Sequence, residues 1–592
     1  MVDSENNQGK SGVGDASFAM PSLADLQHWT GVFGEAQQML MEHAAEAMGK
    51  AGIDMPIPAD FRSAMFGDPG KVAEHQTRLM TESIELLTGM ATGNAALAAA
   101  ADKDRRFNAE QWRQTPIFDL IRQAYLLLCD HWMRSVDAIE GLDPRQREQL
   151  KFATRTVIEA MAPSNFPLTN PVVLERIVET RGENLLRGME HMLADLGRGQ
   201  LTHTNAEAFE VGRNIAATPG KVVHETPLYQ LIHYTPTTPD VLATPLLIFP
   251  PWINRFYILD LNPKNSFIRW AVEQGISVFV VSWKSADASM ADVTMDDYVL
   301  GGQIDAIDTV RALLKVDQVH TIGYCVAGTA LAMALAYLAA TGKAGKVASA
   351  TFFTAQVDFS EAGELNLLAG DEQIELISAT GRESGVIDGR IMAATFNLLR
   401  GRDLIWNYVI NNYLLGEDYS EFDLLYWNSD TTNLPAKWHR AYLEELYRDN
   451  LLVVPNRLSI GDVSIDLRRI QTPAYVQAGR EDHIAPAASV WKLTRQLSGT
   501  VRFVLAGSGH IAGVVNPPAA NKYQYWTNPD VVETLDQFIA GADETKGSWW
   551  PDWLRWIEAR SGGRVPAKGM RVPGRGKSKA IEDAPGRYVR MR

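Results

Sequence analysis

The chain has 592 residues, 46% of them hydrophobic, which suffices for more than one buried core and excludes a wholly disordered protein. A formal charge of -15 excludes a general nucleic-acid binder, which needs a basic face to neutralise phosphates. Two cysteines, Cys129 and Cys325, are too few for a disulfide framework and fit a reducing cytoplasm.

Residues 1–20 read as a disordered N-terminus without the basic and apolar regions of a signal peptide. From Met20, the residues Leu23, Leu26, Phe33, Ala36 and Leu40 recur at helical spacing, with Ser22 as N-cap and Asp25 three positions on. This amphipathic stripe suits packing on the protein's own helices, with an apolar particle or membrane surface as the alternative. Further helical patterns cover 109–139, 143–162 and 170–196, so 21–205 reads as a helical N-terminal domain. Cys129 lies in the apolar run "AYLLLCDHW" and reads as a buried small hydrophobe. On a helix His131 points away from it, and no HExxH or CxxC occurs, so no metal is expected. No apolar run approaches the roughly 20 residues of a transmembrane segment.

Beyond residue 206 the texture changes to short apolar strands alternating with helices: "TPLLIFPPW", "GISVFVVSW", "VHTIGYC", "ASATFFTAQVD", "TPAYVQAGRED" and "VRFVLAGSGH". Such alternation predicts an α/β domain over 206–560, with a mostly parallel sheet covered on both faces. Its ligands should collect at the carboxyl ends of the strands. A long aromatic-rich insertion, about 359–469, reads as a cap over that edge and a candidate dimer surface. Residues 561–592 are Gly- and Pro-rich, with Lys568, Arg571, Arg575, Lys577 and Lys579. They read as a solvated basic tail, with weak attraction of anionic ligands as the alternative.

The stretch "HTIGYCVAGTALA" has the parts of a nucleophile elbow: an apolar strand, Gly323, Cys325 at the apex, then Val326, Ala327 and Gly328 opening a small-residue helix. Cys325 is the expected nucleophile. The helix N-terminus favours its thiolate and aims the Val326 N–H at a developing oxyanion. A second donor is expected in "PPWIN", around Ile253 and Asn254. Asp482 and His510 follow at the ends of two later strands, in the order nucleophile, acid, base of an α/β-hydrolase fold. Glu481 and His483 flank Asp482 and compete for its role.

Beyond these residues, "PPWINRFYILDLNPKNSFIRW", "GYCVAGT", "DLLYWNSDTTNLP", "GREDHIAP", "GHIAGVVNPPAANKYQYW", "GSWWPDW" and "APGRYV" resemble class I polyhydroxyalkanoate synthases, a similarity spanning about 80–592. The resemblance implies polymerisation of (R)-3-hydroxyacyl-CoA, usually short-chain substrates such as 3-hydroxybutyryl-CoA, with release of CoA. It carries the nucleophile to Cys325, the carboxylate to Asp482 and the base to His510, and places Asp358, Trp427, Ser266 and Gly328 at matching supporting positions. Ala327 departs from it, standing where the family usually has glycine. The resemblance also implies a growing polyester chain and granule surface as partners, a cytoplasmic homodimer, and no cofactor beyond the CoA of the substrate. With Cys129 outside the site, growth is expected on a single Cys325, with a non-covalent hydroxyl-bearing intermediate or a partner subunit's Cys325 as the second station. The rivals are a cysteine-dependent thioesterase or depolymerase on the same fold and a non-catalytic granule scaffold.

Overall fold

The computed structural model describes residues 78, 81–82, 104–139, 141–576 and 579–592. The stretch 1–20, the amphipathic helix expected from Met20, and Lys577 lie outside the described residues.

Helix α1 (Pro116–Asp137) starts with proline at its first position, where no N–H is missed. Helix α2 (Pro144–Ala160) starts on a capping box in which Asp143 and Gln146 each satisfy the other's backbone N–H. The pattern over 170–196 divides into α3 (Pro171–Thr180) and α4 (Glu183–Arg198), because Arg181 and Gly182 take left-handed conformations, φ 55° and 86°. Phe107, Trp112, Tyr125, Ile158 and Ala162 form a small core, against which Cys129 packs.

The main sheet has eleven strands. In chain order these are β1 (Gly220–Glu225), β2 (Tyr229–Tyr234), β3 (Leu246–Phe249), β4 (Val278–Trp283), β5 (Val319–Tyr324), β6 (Val347–Phe353), β7 (Ala474–Gly479), β8 (Val501–Ala506), β9 (Gln524–Thr527), β10 (Asp543–Lys546) and β11 (Glu582–Asp583). Their spatial order is β10-β9-β8-β7-β6-β5-β3-β4-β2-β1-β11. The centre, from β4 through β8, is parallel and the flanks are antiparallel. β2, β3, β4, β5 and β7 are buried at every position, as strands covered on both faces must be. Helix α5 (Val326–Ala340) follows β5 directly and is buried over most of its circumference.

The cap is the chain between β6 and β7. It carries helices α6 (Asp371–Thr380), α7 (Gly389–Leu399), α8 (Asp423–Ser429) and α9 (Ala436–Ala441), with π-helical turns at Arg402–Trp406, Val409–Leu414 and Tyr442–Arg448. The N-terminal helices are fastened to it. Gln149 of α2 donates to the Leu367 carbonyl at 3.0 Å and Arg145 to that of Asn366 at 3.1 Å, while Arg155 pairs with Glu364 at 2.7 Å. Asn184 of α4 donates to the Leu414 carbonyl at 2.6 Å.

The C-terminal stretch corrects the expectation of a solvated tail. Arg564–Pro566 pairs antiparallel with Asp240–Leu242, and Glu582–Asp583 adds an edge strand to β1. Arg571 is buried, donating to the Ala243 carbonyl at 2.6 Å and to Ser277 Oγ at 3.3 Å. The physical reason is that backbone carbonyls replace water around the cation, while Tyr588 and Val589 add apolar burial. At the end of the chain, the buried Arg255 donates to the Met591 carbonyl at 2.5 Å and pairs with the buried Asp430 at 3.3 Å. Asp430 also accepts from Tyr257 Oη at 2.6 Å and pairs with Arg592 at 2.7 Å. Arg255→Ala strands this carboxylate without its buried partner, so chemical denaturation should show a loss of about 3–5 kcal/mol. Arg592→Ala, on a largely exposed side chain, should cost far less.

Candidate active site

The site is assembled where the parallel strands end. β5 runs into α5 through Cys325, whose backbone takes φ 53° and ψ -126°, a conformation that L-residues avoid. Its N–H donates to the Phe353 carbonyl at 2.9 Å, and its carbonyl accepts from Gly328 N at 2.8 Å and Thr329 N at 3.2 Å. The turn brings backbone against backbone. A Cβ on Gly323 would stand 2.6 Å from Gly328 Cα, and one on Gly328 would collide with Ala355 Cβ. Ala327 meets no such limit: its side chain is fully buried, and its carbonyl accepts from Gln303 Nε2 at 2.8 Å. The methyl group is therefore accommodated at this position.

His510 and Asp482 follow β8 and β7. His510 Nδ1 lies 2.7 Å from Asp482 Oδ2, and both residues are buried. The other carboxylate oxygen accepts from the N–H groups of Ile484 at 2.8 Å and Ala485 at 2.9 Å, which fixes its orientation. An ionised carboxylate can only accept, so Nδ1 donates and Nε2 is left for the thiol. Burial, the largest influence on the imidazole, pulls its pKa down. The charges of Asp482 and Cys325, with the hydrogen bonds that the ring donates to both, outweigh burial and push it up to about 10. Of the three adjacent candidates, Asp482 meets the imidazole. Glu481 is exposed, and His483 is half-buried, its pKa lowered first by burial and then by the Arg400 charge.

Val326 is the first residue of α5, so its N–H has no acceptor within the helix. Ile253 and Asn254 follow β3, which lies beside β5 with Phe249 opposite Gly323, so their loop leaves the sheet next to the elbow. That loop is tied to the cap: Thr432 Oγ1 donates to the carbonyls of Trp252 at 2.7 Å and Ile253 at 2.6 Å, and Asn254 bridges to Thr431. The remaining candidates stand apart from the triad. Asp358 sits where the cap begins, its carboxylate accepting from Ser360 Oγ at 2.6 Å and from Asn450 Nδ2 at 3.0 Å. Trp427 donates to the Arg255 carbonyl at 2.7 Å. Ser266 caps a short helix through the Arg269 N–H at 2.9 Å and donates to the buried Asp260 at 2.7 Å. Cys129 lies in α1 beside Tyr125 and Arg106, with its pKa raised by burial.

Sequence reasoning did not single out Tyr442, Tyr447 or Gln356. The two tyrosines share a hydrogen bond, are buried, and lie within reach of the Cys325 charge. Gln356 Nε2 donates to Tyr447 Oη at 3.3 Å, and the Gln356 carbonyl accepts from Thr329 of α5 at 2.7 Å. The only signal in the sequence was the aromatic density of the insertion, which does not tell which rings turn inward.

Strand order and elbow define an α/β-hydrolase fold, and the general model of that fold matches residues 244–517. A second model, described as the N-terminus of poly-beta-hydroxybutyrate polymerase (PhaC), matches residues 103–271. The chain is 44% identical over 537 residues to the poly(3-hydroxyalkanoate) polymerase of Methylorubrum extorquens, covering 89% of this chain and 88% of that protein. It is 41% identical over 571 residues to the poly(3-hydroxyalkanoate) polymerase subunit PhaC of Cupriavidus necator, covering 96% and 94%. The chain belongs to the poly(3-hydroxyalkanoate) polymerase family and is an enzyme.

The charge on Asp482 is the main influence raising the His510 pKa, so Asp482→Asn should move the imidazole titration to lower pH in NMR of 15N-histidine-labelled protein. A folded-state pKa raised from about 6.5 stabilises the protein below that pH and loses its effect as pH rises towards about 10. The stability margin of the wild type over Asp482→Asn should shrink across that window.

Proposed function

We propose that the protein polymerises (R)-3-hydroxyacyl-CoA, with short-chain substrates such as 3-hydroxybutyryl-CoA, into polyhydroxyalkanoate, releasing one CoA per unit added. The observation that carries this reading is a cysteine on a strained elbow beside a buried imidazole that is hydrogen-bonded to a carboxylate at 2.7 Å. Cys325 Sγ attacks the thioester carbonyl as the thiolate, its proton already held on His510 Nε2. The tetrahedral oxyanion is held by the Val326 N–H and a second donor from the Ile253–Asn254 loop. Its collapse expels the CoA thiolate, which takes the proton back from His510. The acyl group is still a thioester and keeps its activation.

In the second transfer, the 3-hydroxyl of another hydroxyacyl unit attacks that carbonyl. His510 accepts the hydroxyl proton and returns it to Sγ as the oxygen ester forms. Asp482 holds the imidazole in the tautomer that both steps use. Because Cys129 belongs to a separate core in α1, growth proceeds on one Cys325, with a hydroxyl-bearing intermediate that leaves the sulfur between transfers. A partner subunit's Cys325 is the alternative station in a homodimer. Water would turn the same acyl-enzyme into free acid, and the buried aromatic lining from the cap supports transfer over hydrolysis. Substrate entry then requires the cap to move. The product chain places the enzyme at a granule surface in the cytoplasm.

Incubation with 3-hydroxybutyryl-CoA should release CoA and yield recoverable polyester. Free 3-hydroxybutyrate without polymer would instead identify a hydrolase. Cys325→Ala should lower CoA release by about 10³-fold or more, whereas Cys129→Ala should keep polymer yield. Full polymer output from Cys325→Ala would make the protein a scaffold.

A further inference from the structure

Where α2 meets the cap, an open cleft of about 660 Å³ runs from Phe152 and Arg155 past Arg400 to His483 and Pro486. A second hollow of about 430 Å³ adjoins it, and the two share Arg105, Glu159, Arg402 and Asp403. Among the described residues, Arg105, Arg106, Arg155, Arg400 and Arg402 stand here against Glu159, Glu364, Asp403 and the neighbouring Asp104, a local excess of positive charge in a chain whose formal charge is -15. Three of the arginines are engaged: Arg106 with Asp104 at 2.6 Å, Arg155 with Glu364 at 2.7 Å, and Arg400 with Asp403 at 3.8 Å. Arg105 and Arg402 form no ion pair among the described residues, and Arg402 reaches Asp104 only through space. At one end the cleft is lined by His483, which follows Asp482 in the chain. The His483 ring lies within electrostatic reach of Arg400 on one side and of Asp482 and His510 on the other.

We propose that this cleft binds the phosphates of the acyl-CoA substrate, with Arg105 from the helical region and Arg402 from the cap as the phosphate-binding residues. The proposal rests on the acyl-CoA reading above and adds the place where the nucleotide end is held. CoA carries a diphosphate and a 3′-phosphate, separated from its sulfur by the extended pantetheine arm. A site for it should therefore be cationic, open to solvent and close to the triad in the fold; this cleft is cationic and open, and His483, the residue after Asp482, lines it. Guanidinium groups suit the task, because their planar donors meet phosphate oxygens in pairs and keep their charge at any working pH. Arginines already paired with carboxylates would have to break those pairs first, which is why the two unpaired ones carry the assignment. On this reading the N-terminal helices bind substrate as well as supporting the cap.

The test compares 3-hydroxybutyryl-CoA with the 3-hydroxybutyryl thioester of N-acetylcysteamine, which keeps the reacting end and lacks every phosphate. In Arg105→Ala/Arg402→Ala, the ratio of KM for the short thioester to KM for the CoA thioester should fall at least tenfold from wild type. Arg105→Ala alone, on an exposed side chain, should lower it about threefold. An unchanged ratio overturns the site. Calorimetric titration with desulfo-CoA separates the site from the chemistry. If wild type turns over neither thioester but binds desulfo-CoA at least tenfold more tightly than the double variant, the phosphate site stands and the polymerase reading falls. Turnover of both thioesters, with desulfo-CoA affinity unaffected by the substitutions, keeps the polymerase reading and removes the phosphate site.

Discussion

The backbone of Cys325 is the constraint on which the site depends. A residue at φ 53° and ψ -126° carries about 1–3 kcal/mol of strain and persists only where its surroundings leave no alternative. Here the constraint comes from both sides. β5 is buried throughout and hydrogen-bonded between β3 and β6, while α5 packs its small residues into the core so closely that Gly323 and Gly328 meet without side chains between them. Relaxing the turn would lift α5 off the sheet and expose its buried residues, at a cost well above the strain released. The sulfur therefore has a fixed position before any substrate arrives, and the hydrogen-bonded His510 and Asp482 are placed by the ends of β8 and β7 in the same sheet.

The cap is attached in two different ways. Its base is clasped by buried and partly buried polar contacts: Asn450 donates to the Asp358 carboxylate and accepts from the Phe359 N–H at 2.9 Å, Thr432 holds the Trp252–Ile253 carbonyls, and Asp430 holds Arg255. These contacts join the cap to the loop beside the elbow, so the base cannot swing without disturbing the donors proposed for the oxyanion. The far side rests on α2 at 364–367 through two hydrogen bonds and one partly exposed ion pair, with the open cleft running on to 398–403. Partly exposed pairs contribute little each. Movement that admits substrate is accordingly cheapest on the cleft side, with the base acting as the fixed edge.

The parts of this design differ in how legible they were. The parallel centre could be read because both-face burial writes each strand as a continuous apolar run, and Cys325, Asp482 and His510 each stand where such a run stops. The antiparallel flanks could not: β10 is the exposed, polar tetrad Asp543–Lys546, and its strand geometry comes from pairing with β9 rather than from any pattern of its own. The C-terminal stretch misled for a related reason. Its glycines, prolines and cations match a solvated tail, while the carbonyls that receive Arg571 and the sheet edge that receives Glu582–Asp583 lie more than 300 positions away in the chain. The inward-facing Tyr442 and Tyr447 sit on a π-helical turn, which shifts the face a helical spacing would assign.

Those two tyrosines link packing to chemistry. Burial is the largest influence raising the pKa of both hydroxyls, and the Cys325 charge adds to it, outweighing the hydrogen bond from Tyr442 that lowers Tyr447, so both stay neutral. A neutral hydroxyl near a sulfur that gains negative charge during thioester exchange stabilises it as a dipole, whereas a phenolate would repel it. The same rings are apolar over most of their surface, with Tyr442 stacked on Trp438 at 5.0 Å and Tyr447 packed against Phe359 at 4.7 Å. In the proposed reaction the competing nucleophiles are water and the hydroxyl of another acyl unit. They differ little in intrinsic reactivity but greatly in how much apolar surface they bring to the pocket. An uncharged aromatic lining would favour the hydroxyl carried on a hydrophobic chain. In the proposed reaction, a cap of this composition would favour chain growth by controlling which nucleophile can stay near the sulfur.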